Sequence, residues 1–409
     1  MKSKVILSAA FALAMAACKR TADVPLGEQP GTSGPVETSP PNTNYRPAFA
    51  GQTRANGAIT TAKYRATVLT SALTSPWGVK TLPDGRFLVT QRTGAMRIVS
   101  ATGTPGPALT GVPAVNSAGQ GGLLGLCLDP DFASNRMIYW SFSEAVTGGN
   151  VTAIAKGKLS ANDQALENVT VIYRATPAYS GTLHYGGRVV FDRSGNLLIS
   201  TGERSDLVTR PQAQDYNSSL GKIIRITTNG QPAPGNPFAS RANTKPELFS
   251  VGHRNPQGLA IHPVTGELWQ GEHGPKGGDE INHVTAGLNY GWPTITYGVE
   301  YAGPAIGAGI QQQDGLEQPV YYWDPVVSPS GMTFYSGNRI PEWQNNLFIG
   351  ALSGQHIVRL VFNNNRVVGE ERLLASEAQR FRDITQGADG ALYAVTDAGR
   401  LYKIDREEP

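Results

Sequence analysis

The residues best suited to chemistry lie together in the segment 252–292, which reads GHRNPQGLAIHPVTGELWQGEHGPKGGDEINHVTAGLNYGW. Its candidates are an arginine–asparagine pair, a Gly-Pro turn, an acidic pair and a tyrosine: Arg254, Asn255, Gly274, Pro275, Asp279, Glu280 and Tyr290. Carboxylates and backbone carbonyls are the hard oxygen ligands that Ca²⁺ prefers. The arginine fork matches a planar anion such as a carboxylate. Because the segment is dense in Gly, Pro and Asn, it is a poor core element, and we interpret it as part of a functional site.

Three further places in the chain carry candidate side chains. His184 precedes a strand-like run and suits proton transfer, although from the residues alone a structural histidine is an equally good reading. Gln120 lies between glycines that allow close backbone approach to a ligand, although a loop glutamine is normally just solvated. Arg380 and Arg382 alternate, so both point to one face of a strand. An anionic ligand would explain that pair; otherwise they are surface arginines, one of them satisfied by Asp383.

The composition indicates many turns and short strands. The chain has 409 residues with 48 glycines and 28 prolines, and 16% of its residues are charged. Such a balance favours an all-β protein over one with long solvated helices. The formal net charge of +3, without blocks of Lys or Arg, gives no electrostatic case for binding nucleic acid.

One pattern recurs from about residue 65 onward: a turn containing Asp, Pro or Gly, and then a short strand of alternating apolar residues. Copies occur at 83–99, 129–143, 192–203, 262–274, 340–360 and 388–404. This repeat predicts an all-β fold, a six-bladed β-propeller of four-stranded antiparallel blades. A seven-bladed propeller with one degenerate blade is the alternative from the pattern alone. The candidate residues follow strand ends or lie in longer loops, so they could meet in the cup at one end of the propeller.

The N-terminus has the pattern of an export signal. A positively charged end precedes the apolar run 5–17, which is shorter than the roughly 20 residues that span a bilayer. The run ends in MAAC, which is similar to a lipobox with Met in place of Leu. We therefore expect cleavage before Cys18, lipidation of its thiol and a periplasmic protein anchored to the outer membrane; ordinary signal-peptidase cleavage nearby is the alternative. Residues 19–60, rich in Pro, Gly, Ser and Thr, are predicted to form a flexible tether.

Eight sequence pieces from about residue 75 to the C-terminus resemble, in the same order, those of the soluble pyrroloquinoline quinone (PQQ) dehydrogenases. The pieces are GQGGLLGLCLDPDF (119–132), HYGGRVVFD (184–192), NSSLGKIIRI (217–226), GHRNPQG (252–258), EHGPKGGDEIN (272–282), NYGWP (289–293), SGMTFY (330–335) and QRFRD (379–383). The resemblance is to the bacterial aldose sugar dehydrogenases of the glucose/sorbosone dehydrogenase family. It also implies six blades, with residues 1–18 as signal, 19–60 as tether and 61–409 as the propeller domain.

The resemblance implies a catalytic role for several candidates. His184 would be the general base that takes the proton of the sugar's C1 hydroxyl while hydride passes to the quinone. Gln120 would lie near both substrate and cofactor. Arg254 and Asn255 would contact the quinone oxygens, which become negative on hydride uptake. Gln257 would be a weaker member of the same loop.

The resemblance also implies two calcium sites. The backbone carbonyls of Gly274 and Pro275 would hold a catalytic Ca²⁺ that acts as a Lewis acid on the quinone. Glu280 and Tyr290 resemble a second, structural site, with Asp279 expected to support it.

The remaining implied contacts come with two departures from the family pattern. Arg380 and Arg382 would bind the three PQQ carboxylates, and Trp323 would line the substrate pocket. Leu183 stands where the glucose-oxidising branch has Asp, which makes a strict glucose preference less expected. Ser353, or the glycine after it, stands where the family usually has a Lys aimed at the cofactor, so we expect weaker PQQ binding.

The expected function is PQQ- and Ca²⁺-dependent oxidation of the C1 hydroxyl of aldoses to lactones, with electrons passing to a quinone pool or another carrier. A non-catalytic sugar- or partner-binding propeller is the main alternative. A calcium-dependent hydrolytic propeller such as a lactonase is the third, but its metal would need several side-chain ligands.

The sequence has no GxGxxG element for nicotinamide or flavin and no CxxCH haem motif. It predicts membrane contact only through the lipid anchor, and it leaves open a monomer or a homodimer.

Overall fold

The computed structural model describes residues 31–408. Regular structure in this part of the chain is almost entirely β-strand, with a short helix α1 (Phe132–Asn135) and 3₁₀ turns at Arg210–Gln214, Pro341–Trp343 and Ala375–Glu377. The strands are β1 (Gly31–Pro35), β2 (Asn56–Ala58), β3 (Tyr64–Thr70), β4 (Pro76–Thr81), β5 (Phe87–Gln91), β6 (Met96–Val99), β7 (Pro105–Ala108), β8 (Leu123–Leu128), β9 (Met137–Val146), β10 (Gly149–Leu159), β11 (Leu166–Arg174), β12 (Gly186–Phe191), β13 (Leu197–Thr201), β14 (Lys222–Ile226), β15 (Leu248–Val251), β16 (Pro256–Ile261), β17 (Leu268–Glu272), β18 (Asp279–Val284), β19 (Tyr321–Trp323), β20 (Pro329–Phe334), β21 (Leu347–Ala351), β22 (Ile357–Asn363), β23 (Arg366–Leu373), β24 (Phe381–Gln386), β25 (Leu392–Thr396) and β26 (Leu401–Arg406).

These strands form a six-bladed β-propeller, as predicted. The blades are β4–β7, β8–β11, β12–β15, β16–β19, β20–β23 and β24–β26 with β3, each with four antiparallel strands. Strands β1 and β2 extend the sheet of the fifth blade, where β2 pairs parallel with β23. The first strands of successive blades contact one another around a ring, and the last of them, β24, contacts β4. Strand β3 pairs with β26, so the sheet of the last blade joins the two ends of the propeller.

The second strand of a blade is buried on both faces, because each blade is packed between two others. All five residues of β5, β13, β17, β21 and β25 are buried. The polar residues that alternate with apolar ones in these strands are therefore inside, where they bond to the next blade. The Thr90 hydroxyl donates to the carbonyl of Leu124 at 2.6 Å, and the Ser200 hydroxyl donates to that of Pro256 at 2.8 Å.

Near the axis the inner strands pack so closely that some positions admit no side chain. A Cβ on Gly258 would lie 2.6 Å from the carbonyl oxygen of Ser330 in the next blade. In the last blade the corresponding residue is Asp383, which accepts the Val79 N–H of the first blade at 2.9 Å. Asp383 also forms a buried ion pair of 2.9 Å with Arg188 from the third blade, so this pair spans the ring.

Residues 36–54 lie against the fourth and fifth blades, which differs from the predicted tether. Glu37 pairs with Arg372 at 2.7 Å, and the fully buried Gln52 side chain donates to the Pro319 carbonyl at 2.8 Å. Composition could not show these partners, because they are supplied by strands more than 200 residues away. Residues 1–30, which carry the predicted signal, Cys18 and the first part of the tether, lie outside the described residues. No helix within 31–408 is long and apolar enough to cross a bilayer.

Candidate active site

The candidate residues converge at one end of the propeller. Inner strands begin there and second strands end there, because the two run antiparallel: Gly186 pairs with Thr201, for example, and Phe381 with Thr396. A cavity of about 430 Å³ opens at this end. It is lined by Ser75, Pro76, Trp77, Arg92, Gly119, Gln120, Gln257, His273, Ser328, Leu352, Arg380, Arg382 and Asp397. Four predicted residues therefore line one cavity, although they come from three different blades.

His184 is held rigidly beside this cavity. It precedes β12 with a positive φ of 45°, a conformation that histidine adopts more readily than most residues. Its backbone N–H donates to Oε1 of Gln120 at 2.9 Å, and its Nδ1 lies 2.6 Å from Oε1 of Glu203. His184 is 6% exposed, so both contacts are shielded from water. The predicted pair of Gln120 and His184 is thus a direct contact in the structure.

Glu203 is a site residue that the sequence reasoning missed. Burial raises the pKa of Glu203 to about 7, although the charges of Arg254, Arg210 and Arg204 oppose this effect. Burial, reinforced by the same arginines, lowers the pKa of His184 well below its usual range. The imidazole is therefore neutral. When ionised Glu203 accepts the Nδ1 proton, Nε2 is left as a free base.

A comparison of the blades would have found Glu203. In three blades an acidic residue lies where the second strand reaches the cavity: Glu272 ends β17, and Glu203 and Asp397 follow β13 and β25. Each acid contacts the loop that precedes an inner strand. An acid at the end of a second strand, or within two residues of it, is visible in the sequence once the blades are aligned with one another.

The loop before β16 supplies donors that have no protein acceptor. Arg254 Nη1 donates to the carbonyls of His273 and Gly274 at 3.0 and 2.6 Å, and its guanidinium lies 5.2 Å from the Trp292 ring centroid. Its Nε, the Nδ2 of Asn255 and the Nε2 of His273 are buried without a partner among the described residues. Asn255 Oδ1 accepts the Gly186 N–H at 3.1 Å. An arginine and an amide with unused donors are suited to an electronegative ligand.

Arg380 and Arg382 share a carboxylate that the sequence did not place near them. Asp397 accepts from Arg380 Nε at 2.9 Å and from Arg382 Nε at 2.8 Å. Burial would raise the pKa of Asp397, but the arginines outweigh burial and lower it. The suggested partner Asp383 instead pairs with Arg188. Arg382 also donates to Gln257 Oε1 at 2.8 Å, which ties the cationic wall to the loop of Arg254.

The Gly274–Pro275 turn is buried and firmly held. The Asp279 carboxylate holds the turn in place: its Oδ1 accepts the Gly274 N–H at 2.8 Å, and its Oδ2 accepts the N–H groups of Val327 and Ser328 at 2.8 and 2.6 Å. Within residues 31–408 there is no group of three or more His, Cys, Asp or Glu side chains that could hold a metal ion. A calcium ion here would rest on backbone carbonyls and on a ligand. The Gly274 carbonyl already accepts from Arg254 but retains a second lone pair.

Glu280 and Tyr290 are engaged in different ways. Three effects raise the pKa of Glu280 well above its usual value: its burial, the facing carboxylate of Glu272, and the nearby charge of Asp279. Glu272 and Glu280 pair across β17 and β18. A cation between them would lower the free energy needed to ionise Glu280. The Tyr290 hydroxyl, however, donates to the His283 carbonyl at 2.7 Å and accepts the Thr285 N–H at 2.8 Å. A metal ligand from Tyr290 would therefore have to be its backbone carbonyl.

Trp323 does not line the cavity, which corrects the prediction. It ends β19 in the core, 2% exposed, and its Nε1 donates to Glu370 Oε2 at 3.0 Å. Trp77 at the start of β4 lines the cavity instead. Side chains alternate along β19, so Tyr321 and Trp323 share one face. Both donate to Glu370, which directs Trp323 into the core.

Both departures from the family pattern border the site. Leu183, directly before His184, is 41% exposed. The Ser353 hydroxyl is 2.8 Å from that of Ser328, which lines the cavity together with Leu352. A longer side chain at residue 353 could therefore reach the cavity, whereas serine leaves that part of the wall uncharged.

Comparison with known proteins finds relatives over most of the chain. The family model for glucose/sorbosone dehydrogenases matches residues 73–403. The aldose sugar dehydrogenase YliI of Escherichia coli is 42% identical over 342 residues, which are 82% of this chain and 91% of that protein.

Two solved structures are similar over nearly their whole length. The apo-form of the soluble aldose sugar dehydrogenase from Escherichia coli is similar with a TM-score of 0.81 and 40% identity, covering 84% of this chain and 100% of that one. The PQQ-bound form of the aldose sugar dehydrogenase from Streptomyces coelicolor is similar with a TM-score of 0.70 and 30% identity, covering 85% and 99%.

Proposed function

Because the chain belongs to the glucose/sorbosone dehydrogenase family, we propose that it oxidises the C1 hydroxyl of aldoses to lactones, with PQQ and Ca²⁺ as cofactors. One observation carries this proposal: the buried His184–Glu203 pair lies beside a cavity lined by three arginines. Removal of hydride and proton from an alcohol needs a base on one side and a cationic environment for the acceptor on the other.

The cavity suits an acidic, planar cofactor. Its volume lies in the range of small-molecule sites. The unpartnered donors of Arg254 and Asn255 lie where a carbonyl ligand could accept from them. Arg380 and Arg382 would hold carboxylates of PQQ, in competition with Asp397. When bound, PQQ supplies the acceptor for the hydride.

His184 would perform the proton transfer at Nε2. Glu203 fixes the tautomer by accepting the Nδ1 proton, and Gln120 fixes the backbone through the His184 N–H. A ring held at both points loses little freedom when the substrate binds. Burial, reinforced by the positive charges around it, lowers the pKa of His184, so the neutral imidazole is ready to accept the C1 hydroxyl proton.

Calcium would be held by the carbonyls of Gly274 and Pro275 together with the cofactor. The Asp279 carboxylate fixes this turn against Ser328, which lines the cavity. We also propose that Glu272 joins Glu280 at the second calcium site, since their paired charges need a cation.

Reconstitution tests the proposed function. We expect cofactor-free protein, beginning at residue 19, to reduce a dye with aldoses only after both PQQ and Ca²⁺ are added, and chelation before PQQ loading to remove the activity. PQQ binding without turnover on any of a panel of aldoses would refute aldose oxidation. A failure to bind PQQ would instead favour the non-catalytic propeller.

Ser353→Lys should tighten PQQ binding by about 10- to 100-fold, the range of one hydrogen bond between charged groups. The new ammonium would extend past Ser328 toward the cavity and restore a cation that the family usually has. Ser353→Met is the control, because it adds similar length without charge. PQQ titration followed by absorbance measures both. Equal affinity of the lysine variant and the parent would contradict the assigned role of this position.

The remaining proposals concern location and electron transfer. We propose export, lipidation of Cys18 and anchoring at the outer membrane, with electrons passing to a quinone pool or another carrier. Mass spectrometry of the mature N-terminal peptide tests the anchor, and a peptide that begins after Cys18 without lipid would refute it.

A further inference from the structure

Residues 36–54, here called the N-terminal strap, are held by polar contacts although most of them are exposed. Arg54 folds the strap onto itself: its Nη1 donates to the Glu37 carbonyl at 2.8 Å and its Nη2 to the Ser39 carbonyl at 2.7 Å. The same Nη2 donates to the backbone carbonyl of Asp324 at 2.8 Å. One arginine therefore fixes both the shape of the strap and its place on the propeller.

The first anchor of the strap is the buried carboxylate of Asp324. Its Oδ1 accepts the Asn42 N–H at 2.7 Å, and its Oδ2 accepts the N–H and the hydroxyl of Thr43 at 3.0 and 2.9 Å. Three donors on one carboxylate, only 4% exposed, are a strong and directional attachment.

Asp324 borders the turn that carries the proposed calcium ligands. The Gly278 N–H donates to the carbonyl of Trp323 at 2.8 Å. A Cβ on Gly277 would lie 2.7 Å from Asp324 Oδ1 and 3.4 Å from Asn42 Nδ2, so the turn, the carboxylate and the strap are in close contact.

The second anchor reaches the same turn from another side. Gln52 Oε1 lies 3.2 Å from the Tyr297 hydroxyl, which makes its shorter bond to Gln318 Oε1 at 2.6 Å, and the Gln52 carbonyl accepts the Tyr322 N–H at 2.9 Å. The rings of Tyr297 and Tyr322 stack at 3.9 Å. A Cβ on Gly278 would lie 2.6 Å from the Gly298 nitrogen, directly after Tyr297. The two anchors thus hold the two segments between which the turn is packed.

We propose that the N-terminal strap positions the Gly274–Gly278 turn and thereby sets the affinity of that turn for calcium. This inference rests on the calcium site proposed above. The strap touches neither cofactor nor substrate; its residues act as positioning residues through Asp324 and Tyr297. The working dehydrogenase then begins near residue 36 and not at residue 61.

Substitutions within the full mature chain test the inference. Calcium chloride is titrated calorimetrically into protein saturated with PQQ. Loss of the strap's hydrogen bonds in Arg54→Met and in Gln52→Leu predicts a Kd for calcium about 5- to 30-fold higher. Arg46→Met is the matched control, because Arg46 lies in the same strap, is exposed and has no side-chain bond within residues 31–408. Its Kd should equal that of the parent.

A second pair of variants separates positioning from folding. Thr43→Val removes the hydroxyl donor to Asp324 and should weaken calcium binding, whereas Thr43→Ser keeps the donor and should restore it. Melting temperatures measured without calcium should differ little between the two. Parental calcium affinity in Arg54→Met or Thr43→Val would overturn the inference and leave the calcium site intact. Absence of calcium binding by the parent would instead overturn the proposed site, and the inference with it.

Discussion

His184→Ala is expected to lower kcat for aldose oxidation by about a thousandfold, the middle of the range for a lost general base. The Nε2 of His184 is the proposed proton acceptor, and Glu203 cannot replace it because its carboxylate lies behind the ring, on Nδ1. PQQ affinity should stay close to that of the parent, because the cationic wall is built from Arg380 and Arg382. Steady-state kinetics on protein saturated with PQQ, with a separate PQQ titration, measure the two effects.

His262→Ala provides the control for this experiment. His262 follows β16, at the end of that inner strand opposite the cavity, and its pKa is also lowered by burial. The substitution measures how far kcat falls when a partly buried imidazole away from the cavity is lost. If His184→Ala kept more than about a tenth of the parental kcat, proton transfer by His184 would be excluded.

Glu203→Gln is expected to lower kcat by about a hundredfold and to change the shape of the pH profile. The glutamine amide is nearly isosteric, but it holds the Nδ1 proton without a negative charge and so stabilises the protonated ring less. His184 remains present, so the loss should be smaller than in His184→Ala.

The sign of the pH dependence follows from the pKa of Glu203. This pKa is raised to about 7, so the carboxyl is protonated in acid and ionises as the pH rises through that value. His184 stays neutral over the same range because its own pKa is lowered. In the parent, kcat/KM should therefore rise between about pH 6 and pH 8. In Glu203→Gln this limb should disappear.

A second Glu–His pair supplies the matched control. Glu267 lies 3.4 Å from His283 Nε2 and does not line the cavity, so Glu267→Gln should leave the profile of the parent unchanged. An unchanged acidic limb in Glu203→Gln would show that another group titrates there.

Several features could be read from the chain because they depend on local pattern. The six repeats predicted six blades, since five blades are built from consecutive strands and only the last is completed by β3 from the start of the propeller. His184 was recognised because it precedes a strand-like run, Gln120 because it lies between glycines, and Arg380 because it alternates with Arg382. The structure places all three at one end of the propeller.

Other features depended on partners that are distant in sequence. Asp397 lies 15 residues from Arg382 but beside it in space, since β24 and β25 are antiparallel. Trp323 was misassigned because an aromatic residue near a loop suits a pocket as well as a core. Residues 36–54 were assigned to a tether because their composition cannot bury a core, yet Asp324 and Tyr297 supply the polar partners that hold them.

The sequence by itself favoured six blades and identified four side chains of the cavity, because strand order and turn chemistry are local properties. Only the tertiary structure decided which of those side chains meet. Antiparallel pairing of the first two strands of a blade brings Glu203 onto His184 and Asp397 onto two arginines. Packing of residues 36–54 on the propeller seats the N-terminal strap against the Gly274–Gly278 turn. These contacts set the burial and charge around each group, and burial and charge in turn set the pKa values on which the proposed chemistry depends.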